Sequence, residues 1–336
     1  MRCTVWKNKV LPFLCVCLLL LCCACGRTEK NSASFFAMDT IMQITAYGGT
    51  DEAIAEAREA IRELDVLLDA TDAKSTLSLL KNGDLLPKTI REPLQTAQMI
   101  AAATDGALDV TLYPLSDAWG FYTKNYRVPA QTELQILLKN RGKFSVRDGR
   151  LSCTDGTKLD LGCVAKGYAA MCAAEKLRQN GVQGAVLSLG GNVQTIGRKP
   201  DGSDWRVSVA DPLHPDGTVC DLFVGETAVV TSGSYQRSFT ENGKTYHHII
   251  DPATGAPAES GLLSVTVVCA DGTTADGLST ALFIMGMERG TELWKSGSIP
   301  FDALWITEDA DVYVTPGLAE RMEQSNETYK KAICIK

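Results

Sequence analysis

Strand-like and helix-like segments alternate along this chain without a regular strand-helix-strand rhythm, which predicts an α+β fold rather than a doubly wound sheet. Its 336 residues exceed the roughly 250 to 300 at which single cores stop growing, so one large two-lobed domain is expected. No internal repeat at a solenoid period is found, and a hydrophobic content of 45% with 22% charged residues is ordinary for a folded globular body.

The elements follow in order. Arg2, Lys7 and Lys9 precede an apolar run over residues 10–23, the layout of an export signal, and the run is short for a membrane-spanning helix. It ends in Cys22-Cys23-Ala24-Cys25-Gly26. This resembles a bacterial lipoprotein signal, in which the last cysteine becomes the lipidated N-terminus, although Cys22 stands where such signals usually carry Leu. Residues 1–24 are therefore expected as signal peptide, Cys25 as the lipidation site, 25–34 as a polar tether and 35–336 as the folded domain on the extracytoplasmic face of the membrane. Within the domain, FFAMDTIMQITAYG (35–48) has the alternation of one long strand. DEAIAEAREAIRELDVLLDA places Ile54, Ala57, Ile61, Leu64 and Leu68 at helical spacing behind an acidic start. PLQTAQMIAAATDG predicts a helix from Pro93 that stops at Gly106.

LDLGCVAKGYAAMCAAEKLRQNG reads as a short strand, a turn at Gly162 and a helix closed by Asn180 and Gly181, and GAVLSLGGN follows as a buried strand. LLSVTVVCA predicts a strand, DGLSTALFIMG an apolar helix, and ALWIT with DVYVTPG a closing hairpin. Six of the twelve cysteines lie in the first 26 residues. Among the other six no CxxC or Cys/His ligand spacing occurs, which argues against a zinc site. Loss of the leader's three positive charges takes the net charge from −7 to −10. An acidic body argues against nucleic acid as a partner, and any anionic ligand must then be met by local dipoles or a cation.

Four stretches could carry chemistry. Asp276 and Thr280 are four apart at a helix start, so their oxygens share a face and suit a hard cation; an N-cap role for Asp276 and back-bonding by Thr280 are the structural alternatives. Asp160 and Lys166 flank the Gly162 turn and a helix N-terminus, an anion site or a solvated charge pair. SLGGN (188–192) allows close backbone approach or a tight turn. In KTYHHIIDPATG, alternation puts His248 and Ile250 on one face and His247 on the other, and Asp251 shapes the turn over 252–255. With only three histidines a multi-histidine metal centre is excluded, and no GxSxG elbow is present.

Taken together and in this order, "AMDTIM", "GALDVTLYPLSDAWGF", "LDLGCVAKGY", "SLGGN", "TSGSYQR", "HHIIDPATG" and "ADGLSTALFIMG" resemble the ApbE family, the FAD:protein FMN transferases, over about residues 35–315. The resemblance implies mixed, largely antiparallel sheets with packed helices, and transfer of the FMN half of FAD onto a threonine of a target protein with release of AMP. It implies Mg²⁺ held by the side chains of Asp276 and Thr280 and the carbonyl of Cys163, where the family more often has Ala. FAD contacts fall on Met38, Leu108, Asp109, Val110, Asp160, Lys166, His248 and Ile250, with His248 as the general base. The acceptor is expected to be an extracytoplasmic redox subunit at the membrane. An FAD pyrophosphatase yielding FMN and AMP, or a non-catalytic FAD-binding lipoprotein, are the alternatives. Thr71 stands where the family commonly carries an aromatic or amide residue near the flavin, which leaves the balance between transfer and hydrolysis open.

Overall fold

The computed structural model describes residues 29–214 and 216–336; the leader and Cys25 lie outside them. The segment expected as one long strand folds back on itself. β1 (Lys30–Ala37) and β2 (Thr40–Tyr47) pair antiparallel with Phe36 opposite Ile41. Met38 and Asp39 form the two-residue turn with φ of 45° and 60°, the left-handed pair that matches the twist of a tight hairpin. Because neither Gly nor Asn marks this turn, the alternation runs through it unbroken and hides the reversal. β1 also reaches into the expected tether, since Lys30 to Ser34 pair with Tyr47 to Gln43. Main-chain hydrogen bonds hold an edge strand without apolar side chains, so polar composition concealed it.

α1 (Asp51–Leu68) is capped by Thr50, whose side chain accepts the Ala53 N–H, and buries Ile54, Ala57, Ile61, Leu64 and Leu68 as its periodicity requires. After the short α2 (Thr76–Leu79), α3 (Lys88–Ala103) starts ahead of Pro93, where the sequence suggested its beginning, and continues through that buried proline. It ends at left-handed Asp105 and Gly106, the Gly106 N–H closing on the Ala101 carbonyl at 2.8 Å. α4 (Tyr113–Ala118), α5 (Gln131–Asn140), β3 (Phe144–Arg147) and β4 (Arg150–Cys153) form the next stretch. Residues 159–161, expected as a strand, are extended but unladdered: no strand is laid beside them, and Asp160 N–H bonds singly to the Val110 carbonyl at 2.8 Å.

α6 (Ala165–Gln179) follows, closed by Asn180 and left-handed Gly181. Then come β5 (Gly184–Leu189), β6 (Asn192–Ile196), β7 (Trp205–Ala210), β8 (Thr218–Val224), β9 (Ala228–Gly233), β10 (Ser238–Glu241), β11 (Lys244–His247) and β12 (Leu262–Cys269). α7 (Gly272–Ser296), interrupted at Gly286, leads to β13 (Asp302–Thr307), β14 (Val312–Val314), α8 (Pro316–Ala319), β15 (Met322–Gln324) and β16 (Ile333–Cys334). The β13–β14 hairpin expected to close the chain does form, but β15 then joins β8 and β16 runs parallel beside β14.

The main sheet runs β1-β2-β5-β6-β9-β12-β13-β14-β16 and is antiparallel except at its last pair. Its alternation divides two cores. On β13, Ala303 and Trp305 face the helices while Leu304 and Ile306 face the small sheet β15-β8-β7, as a period of two demands. α6 packs between α1 and α7 on the helical face. A third cluster of Leu115, Trp119, Phe121, Leu134 and Ile250 joins α4 and α5 to the β10–β11 hairpin. Among the described residues the six cysteines are free thiols, and no helix is long and apolar enough to cross a membrane.

Candidate active site

A cavity of about 840 Å³ opens where the β1–β2 turn, the C-terminal end of α1, the N-terminal turn of α6, the β5–β6 turn and α7 converge. This is within the range of small-molecule sites. Met38 and Asp39 line it from the first hairpin, so its lip carries two non-glycine residues in left-handed backbone, the kind of conformation that gathers at functional sites.

One wall is the entry to α6. Asp160 Oδ1 accepts the Gly162 N–H at 2.8 Å, and the Tyr122 hydroxyl donates to Asp160 Oδ2. Burial and the Asp160 charge push the Tyr122 phenol far above its ordinary pKa, so it stays a donor. Lys166 lines the cavity one residue into the helix. Gly167 lets α6 meet α7, since a Cβ there would stand 2.1 Å from the Gly272 carbonyl oxygen. Its N–H, which a regular helix would direct to the Cys163 carbonyl, goes instead to Asp276 Oδ2 at 2.8 Å. Among the described residues nothing donates to the Cys163 carbonyl.

The opposite wall is α7. Asp271, not Asp276, is its N-cap, accepting the Thr274 N–H at 2.7 Å. Asp276 sits more than a turn inside the helix, 4% exposed. Burial raises its pKa, opposed by Lys166, by the N–H groups of Gly167 and Lys166, and by the Asn192 side chain. Thr280 does not back-bond to a carbonyl; its hydroxyl lies 3.3 Å from Ser232 Oγ, while Ser279 bonds to the Asp276 carbonyl. The two structural alternatives are therefore met by neighbouring residues, and Asp276 and Thr280 both face the cavity. A carboxylate, a hydroxyl and a free carbonyl form an all-oxygen set that fits a hard cation such as Mg²⁺. Among the described residues no cluster of three or more His, Cys, Asp or Glu competes with it.

The two histidines divide, although β11 ends at His247 and His248 stands in a bend beyond it. His247 is buried, bonded to the Ala258 carbonyl at 3.0 Å and set edge-on against Phe283. His248 lines the cavity with both Ile249 and Ile250, so the expected alternation does not continue past His247. Its N–H donates to the Arg237 carbonyl at 3.0 Å, and its Nδ1 is buried without a partner. Desolvation, helped by Arg237 and Lys166, pushes its pKa down to about 3, so the ring is neutral at ordinary pH. The β10–β11 turn at left-handed Asn242 and Gly243 fixes this register. Asp251 stays off the wall and accepts the Ala253 N–H at 2.8 Å as a turn residue.

Residues 38–305 match the model of the ApbE family. This chain belongs to the ApbE family. Among curated relatives, the FAD:protein FMN transferase of Klebsiella pneumoniae is 29% identical over 92% of this chain and 98% of its own length. That of Vibrio cholerae is 32% identical over 76% and 82%. The ApbE protein of Thermotoga maritima superposes with a TM-score of 0.76 at 31% identity, covering 89% of this chain and 98% of that one. The flavin transferase ApbE of Vibrio cholerae gives 0.76 at 27% identity, over 88% and 99%.

In this ApbE chain the cavity gathers Met38, Leu108, Asp109, Asp160, Cys163, Lys166, His248, Ile250, Asp276 and Thr280. Val110 is the exception: its side chain is 1% exposed in the main core and only its carbonyl serves the site, through Asp160. Asp109 is held by Arg141 at 3.1 Å and by Thr111. Thr71 reaches the lip with its hydroxyl tied to Asp69 at 2.7 Å. Residue patterns had not singled out Tyr122, Arg237 or Asn192. Arg237 and Asn192 end the stretches TSGSYQR and SLGGN, whereas nothing local marks Tyr122.

Proposed function

We propose that this ApbE-family protein is a transferase, an FAD:protein FMN transferase, which binds FAD in the cavity and moves its FMN half onto a threonine of an extracytoplasmic protein, an expected membrane redox subunit. The relatives' names support the activity class. The observation that carries the reading is the pairing, in one cavity, of the oxygen set Asp276, Thr280 and Cys163 with the neutral His248.

Asp276 Oδ, Thr280 Oγ1 and the Cys163 carbonyl would hold Mg²⁺. When bound, the ion supplies charge neutralisation at the pyrophosphate. Lys166 and the N–H groups at the α6 entry add to it, as phosphoryl transfer rests mostly on positioning and charge. Met38, Leu108 and Ile250 present apolar contact to the flavin, and Asp160 is held in place by the Tyr122 hydroxyl and the Gly162 N–H. The threonine oxygen bonds to the FMN-side phosphorus as the bridging P–O bond breaks. AMP departs with that electron pair, and the threonine proton passes to His248, whose neutral ring accepts it. The leader, read through its last cysteine, supports lipidation at Cys25 and a working place on the extracytoplasmic membrane surface.

Exposed Thr71, too small to seal the lip, favours a second reading in which water replaces the threonine and FAD is hydrolysed to FMN and AMP. Incubating the protein with FAD, Mg²⁺ and a threonine-bearing acceptor, then reading masses, separates the outcomes. An FMN adduct supports transfer; FMN with AMP and no adduct supports hydrolysis; intact, bound FAD would sink both.

A further inference from the structure

Of the buried side-chain atoms that lack a hydrogen-bond partner among the described residues, two belong to residues lining the cavity: His248 Nδ1 and Asn192 Nδ2. Asn192 is 3% exposed and opens β6 directly after the Gly190–Gly191 turn. Both glycines are left-handed, with φ of 57° and 95°, and a Cβ on Gly190 would meet Thr40 at 2.6 Å. The turn is thus pressed against the first hairpin. Asn192 pairs with Leu189 on one side and Val230 on the other, so its backbone is held from both flanks of the main sheet. An amide donor buried without an acceptor is unfavourable.

The Asn192 side chain stands beside Asp276 on the cavity wall and favours its carboxylate charge, although its Nδ2 makes no well-formed hydrogen bond. Asp276 already gives Oδ2 to Gly167 from the α6 side. We propose that Asn192 is a positioning residue for the cation site: its Nδ2–H closes onto the Asp276 carboxylate when a divalent cation is held, so that Gly167 and Asn192 clamp that ligand from two elements. The proposal rests on the transfer reading above and extends it to a residue outside the oxygen set. Carboxylates that bind metals are themselves hydrogen-bonded, and removing such a partner typically costs about ten- to a hundredfold in metal affinity.

The test uses the full-length protein in detergent. FAD affinity is titrated by flavin fluorescence against Mg²⁺ concentration, and bound Mn²⁺ is counted by electron paramagnetic resonance, for wild type, Asn192→Ala and Asn192→Ser. The expected result is a Mg²⁺ midpoint raised about ten- to a hundredfold in Asn192→Ala, a smaller rise in Asn192→Ser, and an unchanged FAD affinity in EDTA. In an Asp276→Asn background, Asn192→Ala should add nothing. Should Asn192→Ala fold poorly by thermal melting, Asn192→Ser carries the comparison. A Mg²⁺ midpoint equal to wild type overturns the proposal. So does a loss of FAD affinity that persists in EDTA, which would make Asn192 a substrate contact. A wild-type protein that binds FAD without any response to Mg²⁺ would overturn the metal part of the transfer reading as well, and the two failures are thereby told apart.

Discussion

The carboxylate of Asp276 on α7 accepts the N–H of Gly167 on α6 at 2.8 Å. This bond crosses 109 positions of sequence and takes the donor that would otherwise occupy the Cys163 carbonyl. It joins two helices and, by the same act, frees one of the three oxygens of the proposed cation site.

Asp276→Asn keeps an acceptor for Gly167 while removing a buried charge that burial disfavours. The cation-free variant is expected to melt at or above the wild-type temperature, because a charge whose burial outweighs its stabilising partners is lost. Mg²⁺ should raise the melting temperature of the wild type but not of the variant, and FMN transfer by the variant should be lower by at least about a hundredfold. Differential scanning fluorimetry with and without Mg²⁺ checks the first two; adduct mass checks the third.

Gly167→Ala inserts a Cβ 2.1 Å from the Gly272 carbonyl oxygen and 2.8 Å from Asp276 Cβ. Both contacts are with parts of the chain that cannot swing aside. A destabilisation of about 2 to 4 kcal/mol is expected, read from urea midpoints, together with a weaker Mg²⁺ response.

His248, held down to about pKa 3, is deprotonated across the working range of the free protein. The acid limb of kcat/KM should therefore show no inflection near 6.5. For stability the sign is definite: between about 3 and 6.5 the unfolded chain binds a proton at this position and the folded chain does not. Stability is lost as pH falls through that window. Urea melts at pH 7 and 4.5 should show a smaller acid loss for His248→Asn than for wild type. His248→Ala, assayed at saturating FAD, should transfer FMN about 10² to 10⁴ times more slowly; a full transfer rate would sink the base role.

Thr71→Tyr adds an aromatic ring at the lip, where Thr71 is exposed and tied to Asp69. Excluding water there favours the protein hydroxyl over hydrolysis. The ratio of FMN adduct to free FMN should rise several-fold, measured by mass spectrometry at fixed acceptor concentration.

Several elements could be read locally because their signals are local. The buried stripe of α1 and the glycine closures of α3 and α6 depend on neighbours a few positions away. His247 and His248 do separate as expected, but the alternation behind that expectation stops at the end of β11, since Ile249 lines the cavity as well. The errors have equally physical causes. The Met38–Asp39 turn lacks the usual glycine, the tether's polar residues are held by main-chain bonds, and residues 159–161 have a strand's composition but no strand beside them.

Sequence by itself determined the α+β class, most of the elements, and the residue types that oxygen coordination and proton transfer require. Tertiary structure alone decided how those residues are used. It made Asp271 the cap and left Asp276 buried, turned the Gly167 N–H away from Cys163, sent Val110 into the core and set Asn192 beside Asp276. The physical reason is range: periodicity and capping act over one or two turns of chain. The site forms where the β1–β2 turn, the α6 entry, the β5–β6 turn and α7 are brought together by sheet order and helix packing.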